Sequence, residues 1–200
     1  MRDEYAVIVI GGGHAGAEAA WAAASVLEHC DAGGRVALVT MVPQRIGQMS
    51  CNPAIGGLAK GQMVREVDAL GGIMGLAIDA TGIMFRMLNT SRGAAVRGPR
   101  AQADKYAYAA EVRRLLATRD TIEVVAGTVD DIVVEKGSVT GVVVGSTLIR
   151  TRAVVLTTGT FMRGLMHTGA NATPGGRVGE QAAAGMSATL RRLGFDLGRL

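Results

Sequence analysis

Two stretches of the sequence carry residues that could do chemistry. Gly11-Gly12-Gly13-His14-Ala15-Gly16 fits the pattern G-x-G-x-x-G, in which backbone N–H groups at a tight turn and a helix start can hold a pyrophosphate. Cys51 stands in a glycine-rich stretch, residues 46–57, close in sequence to that motif. A thiol near helix N-termini and phosphate-binding N–H groups is favoured as the thiolate, which is the nucleophilic form. The alternative for a free cysteine is a small buried apolar side chain.

The glycine motif has the flanking elements that a dinucleotide site needs. An apolar run at residues 6–10 predicts a buried parallel strand, the alanine-rich residues 15–27 predict a helix, and residues 35–40 predict the next strand. These elements form one β-α-β unit, whose crossover is expected to be right-handed. Within it the first glycine makes the tight turn, the second lets the backbone approach a pyrophosphate, and the third lets helix and strand pack closely.

Two residues in this unit leave its ligand and its chemistry open. The acidic residue that normally ends the second strand and binds a ribose hydroxyl is replaced by Thr40. Thr40 can still hydrogen-bond a ribose, but its presence weakens an assignment to NAD from the motif alone. His14 lies inside the motif, where we assign it to the geometry of the helix start, with acid–base catalysis as the alternative.

The remaining chain completes an α/β pattern. Residues 47–61 are loop-like, and further helices are predicted at residues 62–70, 101–116 and 181–193. Further strands are predicted at residues 122–126, 129–135, 139–144, 147–150 and 153–157. Lys136-Gly137 is the predicted turn within a short β-meander.

The pattern of residues 129–160 indicates which dinucleotide the chain binds. A β-meander followed by an apolar strand that ends Leu156-Thr157-Thr158-Gly159-Thr160 resembles the second motif of two-dinucleotide-fold flavoproteins. In those proteins the meander replaces a crossover, and the glycine at the position of Gly159 comes close to the FAD. The resemblance favours FAD over NAD. It implies an α/β chain with the Rossmann-like FAD-binding fold of the two-dinucleotide-binding flavoprotein type, a parallel sheet plus a β-meander, expected to be incomplete.

Composition excludes several other classes of protein. Of 200 residues, 48% are hydrophobic and 19% charged, which is too apolar for a disordered chain. The 29 glycines are about twice the average usage and follow no collagen period. Seven aromatic residues are too few for a platform that stacks single-stranded nucleic acid. Two cysteines predict neither a zinc site nor a disulfide framework, no apolar run is long enough to span a membrane, and we expect a cytoplasmic protein with no metal site.

Positive charge concentrates in one part of the chain. Between Arg86 and Arg114 lie seven basic residues and two acidic ones. A basic stretch of this kind suits contacts to phosphate or RNA, and the alternative is an ordinary solvated helix face.

The stretch around Cys51 is more specific than the glycine motif. The run from Ile46 to Gly57, which includes Gly47-Gln48-Met49-Ser50-Cys51-Asn52-Pro53, closely resembles the glucose-inhibited division protein A family, the FAD-dependent tRNA uridine 5-carboxymethylaminomethyl modification enzymes. The likeness continues through residues 60–61, 66–72, 77–79, 85–89, 96–97, 100–104, 154–157, 159–161 and 175–177. It therefore covers essentially the whole chain.

The resemblance implies an enzyme that adds a carboxymethylaminomethyl or aminomethyl group to C5 of the wobble uridine 34 of certain tRNAs. Family members use FAD, NADH and methylene-tetrahydrofolate, work with the tRNA modification GTPase and form homodimers. Gly11 to Gly16 would hold the FAD pyrophosphate, and Val129 would contact the flavin dinucleotide through its backbone. Cys51 matches one of two cysteines proposed to attack C6 of the uridine, and which of the two attacks stays open.

The chain also departs from the family pattern. Glu180-Gln181-Ala182-Ala183 lacks a serine thought to contact FAD, and Ala94 stands where a proline is usual. Family members are about three times as long, so residues 1–200 are expected to be the N-terminal part of one FAD-binding domain, without the closure of the NADH-binding insertion and without the C-terminal helical region. The isolated chain is expected to have no turnover. The alternative functions are a folate-dependent flavoprotein tRNA methyltransferase and a non-catalytic FAD-binding fragment.

Overall fold

The computed structural model describes residues 2–49, 52–176 and 185–198. Within these residues the chain forms five α-helices, α1 (His14–His29), α2 (Lys60–Ala69), α3 (Met74–Thr81), α4 (Lys105–Ala117) and α5 (Gly185–Arg192). The strands of the same residues are β1 (Glu4–Tyr5), β2 (Val7–Ile10), β3 (Val36–Thr40), β4 (Ala54–Gly56), β5 (Gly82–Leu88), β6 (Gly98–Ala103), β7 (Ile122–Ala126), β8 (Val129–Glu135), β9 (Ser138–Val144), β10 (Thr147–Thr151), β11 (Val154–Leu156), β12 (Leu165–Thr168) and β13 (Asn171–Pro174).

The centre of the molecule is a four-stranded parallel sheet in the order β11-β2-β3-β7. Its strands are short apolar runs, such as Val7–Ile10, of the kind that can be buried on both faces. Helix α1 connects β2 to β3, which gives the β-α-β unit predicted from the sequence. All four carboxyl ends therefore lie at one edge of the sheet, where ligands bind in open α/β sheets.

Successive residues of the central strands enter two different cores. Val9 and Leu38 belong to a cluster that includes residues of α1 and α4, whereas Ile8, Ile10 and Val39 belong to a second cluster with residues of β8, β9 and β10. The period of two along a strand sends neighbouring side chains to opposite faces of the sheet. The result is three layers, with helices on one face of the parallel sheet and an antiparallel sheet on the other.

The antiparallel layer is the predicted meander. Strands β8, β9 and β10 pair in sequence, and the two-residue β1 adds to β10 in parallel, so the order is β1-β10-β9-β8. Lys136 and Gly137 both have positive φ, as a tight turn between β8 and β9 requires. Strand β11 then leaves the meander and joins the central sheet beside β2.

A third sheet was missed by the sequence analysis, which placed no strand between residues 41 and 121. Strands β4, β6 and β5 pair antiparallel in that order. The pattern was hidden because β4 has only three residues and because β5 exposes apolar side chains, with Ile83 69% and Phe85 58% exposed. A strand of this kind does not alternate between polar and apolar residues.

The start of α4 was also predicted too early. Residues 101–103, predicted as helix, belong to β6, and the helix begins at Lys105. Asp104 stops the strand and starts the helix, because its side chain accepts hydrogen bonds from the backbone N–H groups of Tyr106 and Ala107, both at 2.9 Å.

Helix α5 packs against β8 of the meander. Met186 is 1% exposed in the second core, and Asp131 of β8 accepts hydrogen bonds from Thr189 and Arg192 of the helix. Burial opposes ionisation of Asp131, but these hydrogen bonds and the backbone N–H of Ile132 outweigh it and lower the pKa of the carboxyl. The predicted helix start at residue 181 lies outside the described residues.

A half-buried carboxylate joins α1 to α3. Glu18 accepts hydrogen bonds from the backbone N–H groups of Ile73, at 3.0 Å, and Met74, at 2.7 Å. These N–H groups belong to the first turn of α3, where an anion is favoured by the unpaired donors and by the helix dipole. Glu18 thus fixes α3 relative to the helix that follows the glycine motif.

We predict that Glu18→Gln lowers the free energy of unfolding by about 1 kcal/mol, because the neutral amide accepts these hydrogen bonds more weakly. Urea unfolding followed by circular dichroism measures the change, and faster exchange of the Ile73 and Met74 amide hydrogens locates it at α3. Glu66→Gln, on the exposed surface of α2, is the matched control and should leave both measurements unchanged. Equal loss in the two variants would contradict the role of Glu18.

Candidate dinucleotide-binding site

A pocket of about 160 Å³ opens at the carboxyl edge of the parallel sheet. It is lined by the glycine turn after β2, the end of β3, the corner between β7 and β8, and the segment after β11. Six of the residues singled out from the sequence line it, namely Gly11, Gly12, Gly13, Thr40, Val129 and Gly159.

The glycine turn is shaped by close backbone packing. Gly11 has φ +112°, and a Cβ there would collide with the carbonyl oxygen of Thr157. A Cβ at Gly16 would lie much closer to the carbonyl oxygen of Gly11 than van der Waals contact allows. Thr157 closes the arrangement from the other side, because its hydroxyl donates to the carbonyl oxygens of Ile10, at 2.8 Å, and Gly11, at 3.2 Å.

The start of α1 is electrostatically suited to an anion. Gly13 occupies the position before the helix, and no side chain caps the N–H groups of the first turn. That turn carries no acidic residue, so the positive end of the helix dipole is not neutralised locally. A Cβ at Gly13 would meet no atom within 4 Å, which shows that the space beside this glycine is open. Phosphate oxygens are the ligands that such a turn accepts.

The far end of the pocket is formed where β3 meets β7. The backbone N–H of Gly127 donates to the carbonyl oxygen of Thr40 at 2.9 Å, which joins the ends of the two strands. The chain then turns through Thr128 into Val129, the first residue of the meander, which is 4% exposed. Thr40 therefore lies at the pocket beside the 127–129 backbone.

Residues 43–49 form a well-anchored segment on the other side of the glycine turn. The N–H of Gly47 donates to the carbonyl oxygen of Gly12 at 3.3 Å. Arg113 of α4 donates from Nη1 to the carbonyl oxygens of Gln44, at 2.8 Å, and Ile46, at 3.3 Å. Ile46 itself is 2% exposed. The segment leads to Cys51, which lies outside the described residues.

His14, Ala15 and Gly16 are not among the described residues that line the pocket, since they form the first turn of α1 behind it. The His14 ring lies 5.6 Å from the ring of the fully buried Tyr108. Burial raises the pKa of the Tyr108 hydroxyl, and the Glu18 carboxylate raises it further, so this phenol stays neutral. His14 is the first residue of α1.

Other pocket residues carried no role in the sequence analysis, namely Arg45, Gln48, Thr128, Thr157 and Phe161. Gln48 and Thr157 stand within the stretches that resemble known motifs, but nothing in their spacing indicates a contact.

The geometry defines a class of protein. A parallel sheet with a glycine turn, a helix start at its carboxyl edge and a meander in place of a crossover is the Rossmann-like FAD-binding fold of the two-dinucleotide-binding flavoprotein type, as predicted. None of the described helices combines the length and apolar character needed to cross a membrane.

Comparison with known proteins defines the family. A family model described as "Glucose inhibited division protein A" matches residues 6–200, and the chain belongs to this family. Proteins named tRNA uridine 5-carboxymethylaminomethyl modification enzyme MnmG are 49% identical over 197 residues in Protochlamydia amoebophila and 51% identical over 199 residues in Geobacter sulfurreducens. Each of these matches covers 98% of this chain.

Solved structures agree with this assignment. The structure of Aquifex aeolicus GidA matches with a TM-score of 0.89 and 49% identity over 97% of this chain. A GidA-related protein from Thermus thermophilus has a TM-score of 0.65 at 21% identity over 96% of this chain and 69% of its own, a likeness of fold alone. The chain spans 31% of the length of the MnmG relatives and of the Aquifex aeolicus structure.

We predict that alanine at two glycines of the motif lowers the free energy of unfolding by different amounts. Gly16→Ala should lower the free energy of unfolding by about 1–3 kcal/mol, because its Cβ overlaps backbone that cannot move freely. Gly13→Ala should cost less than about 1 kcal/mol, since its φ of −74° suits alanine and the space beside it is open. Denaturant unfolding of the two variants checks this order, and similar losses in both would contradict it.

Proposed function

We propose that this chain forms the FAD-binding part of an enzyme that modifies C5 of the wobble uridine in tRNA. The observation that carries the proposal is the family match over residues 6–200, together with a pocket built from the matching glycine turn. The names of the relatives supply the substrate, tRNA uridine, and the product group, carboxymethylaminomethyl.

The pocket residues fit an FAD dinucleotide. The open space at Gly13 and the uncapped first turn of α1 suit the pyrophosphate. Thr40 offers a hydroxyl to the ribose, and the backbone at Val129 lies where the adenine would be held. Gly159, with open space at its Cα, suits close approach of the flavin half. When bound, FAD supplies the redox chemistry of the one-carbon transfer.

The basic stretch separates into cations used by the fold and cations available to a ligand. Arg113 binds backbone carbonyl groups, and Arg114 pairs with Glu111 at 2.7 Å. Arg86 and Arg100 instead stand directly opposite each other on β5 and β6. Like charges in this register destabilise a sheet, and a phosphate bound between them would relieve the repulsion.

The opposed arginines also line a second cavity, of about 420 Å³, between the small sheet and helices α2 and α3. Arg65, Asp68 and Asp79 line it as well. We assign Arg86 and Arg100 to phosphate contacts with tRNA, because phosphate contacts from arginine supply most sequence-independent affinity for nucleic acid.

Cys51 is the proposed nucleophile. It follows Gln48, which lines the dinucleotide pocket, by three residues. Addition of the thiolate to C6 of uridine forms an S–C6 bond and moves the C5–C6 electron pair toward the C4 oxygen. C5 then acts as the nucleophile toward the one-carbon unit, and loss of its proton allows the S–C6 bond to break again.

The resemblance to the family supplies the remaining parts of the proposal. These are NADH as reductant, methylene-tetrahydrofolate as one-carbon donor, the tRNA modification GTPase as partner, a homodimer as assembly and the cytoplasm as location. They concern a protein about three times as long as this chain.

Two other functions remain as alternatives. A folate-dependent flavoprotein tRNA methyltransferase would share the glycine motif, and a non-catalytic fragment would keep only the fold and FAD binding. Nucleoside mass spectrometry of tRNA distinguishes the two enzymes, because the methyltransferase adds a methyl group to a uridine and leaves the wobble uridine unmodified. FAD binding without modification of either uridine would favour the fragment.

We predict that the 200-residue chain binds FAD with a Kd above about 1 μM. It spans only 31% of the length of the relatives, and the other residues of those proteins can supply further contacts to FAD. Equilibrium dialysis measures the affinity, and Gly13→Ala should weaken it further by crowding the pyrophosphate. A sub-micromolar Kd would contradict this prediction, and unchanged binding by Gly13→Ala would argue against the glycine turn as the site.

We predict that Cys51→Ser abolishes wobble modification, with a loss of at least about 100-fold, because serine is a far weaker nucleophile than the thiolate. The test uses a chimera in which residues 6–200 replace the matching segment of the Aquifex aeolicus relative, expressed in a strain without wobble-uridine modification. Nucleoside mass spectrometry is the readout. Cys30→Ser, at an exposed helix end, is the control, and full modification by the Cys51→Ser chimera would remove Cys51 from the mechanism.

A further inference from the structure

We propose that Gln48 binds a sugar hydroxyl of the dinucleotide through its side-chain carbonyl oxygen. The inference rests on the dinucleotide site proposed above and adds to it a residue that neither the sequence motifs nor the comparisons single out. Within the described residues, the side-chain oxygen of Gln48 is a hydrogen-bond acceptor without a donor.

Gln48 lines the pocket beside the glycine turn and Arg45, and its Oε1 is buried. No donor among the described residues reaches this oxygen. A buried amide oxygen without a donor is costly, and most such atoms in folded proteins have a partner. An acceptor held in this way at the wall of a ligand pocket is satisfied when a ligand donates to it.

The backbone that carries Gln48 is held on both sides. Ile46 and Met49 are 2% and 3% exposed and belong to the first core. The N–H of Gln48 donates to the carbonyl oxygen of Arg45 at 3.1 Å, and the preceding N–H, of Gly47, donates to Gly12. The fold therefore fixes the backbone from which this amide reaches the wall of the pocket.

The chemistry of the dinucleotide selects the partner. A carbonyl oxygen only accepts, and a pyrophosphate at neutral pH has no hydrogen to donate. The two sugar portions of FAD flank the pyrophosphate and carry hydroxyl donors, whereas the adenine and flavin rings lie at the far ends. Because the segment with Gln48 is hydrogen-bonded to the turn at Gly12, the sugar hydroxyls are the donors within reach.

The test compares Gln48→Met and Gln48→Glu in the 200-residue chain, with Gln44→Met as the control. Gln44 lies in the same segment, and its side chain is exposed. Equilibrium dialysis with FAD and with ADP gives the affinities, and thermal unfolding of the ligand-free chain gives the stability. Methionine matches glutamine in length but accepts no strong hydrogen bond, and glutamate keeps the acceptor.

We expect Gln48→Met to bind FAD about tenfold more weakly than the wild-type chain, with Gln44→Met unchanged. The ligand-free Gln48→Met chain should be at least as stable as wild type, because an apolar group replaces a buried oxygen without a donor. Gln48→Glu should bind more tightly than Gln48→Met. An equal loss with ADP identifies the ribose of the adenosine half as the donor, and a loss with FAD alone identifies the ribityl chain.

Three results would overturn the inference while leaving the dinucleotide site in place. These are wild-type affinity in Gln48→Met, weaker binding by Gln48→Glu than by Gln48→Met, which would indicate a phosphate partner, and a less stable ligand-free Gln48→Met chain, which would indicate a structural role. Absence of FAD binding by the wild-type chain at millimolar concentration would remove the dinucleotide proposal and this inference together.

Discussion

Helix α1 begins against the carbonyl oxygen of Gly11, at a separation that only a glycine at position 16 permits. This contact sets the angle at which the helix leaves the sheet and aims its first turn along the carboxyl edge. Thr157 reaches the same backbone from β11, so the turn is held from both neighbouring elements. The pocket, the uncapped helix start and the position of the 43–49 segment all follow from this one approach of helix to strand.

The three-layer architecture follows from the composition of the central strands. A parallel sheet made of Val, Ile, Leu and Ala on both faces must be covered on both. Helices α1 and α4 cover one face through Val9 and Leu38, and the meander covers the other through Ile8 and Val39. Because the meander enters from β7 through a tight corner, the 127–129 backbone reaches the carboxyl edge and lines the pocket.

Local patterns made the central unit predictable, and distant contacts made the rest hard to predict. Apolar runs and the glycine spacing indicate β2, α1 and β3, and the bounds of β8 match the prediction. The sheet of β4, β5 and β6 could not be found in this way, because its partners are far apart in sequence and β5 does not alternate. The hydrogen bonds of Glu18 could not be predicted either, because its partners lie 55 and 56 residues further along the chain.

The glycine turn and the 43–49 segment are joined by a hydrogen bond. Gly47 is hydrogen-bonded to Gly12, and Arg113 ties the carbonyl groups of Gln44 and Ile46 to α4. A ligand that contacts the backbone of Gly12 would therefore also lie close to the 43–49 segment. These hydrogen bonds bring residues 46–49 of the second motif against the glycine motif, so two stretches that are separate in the sequence form one connected part of the fold.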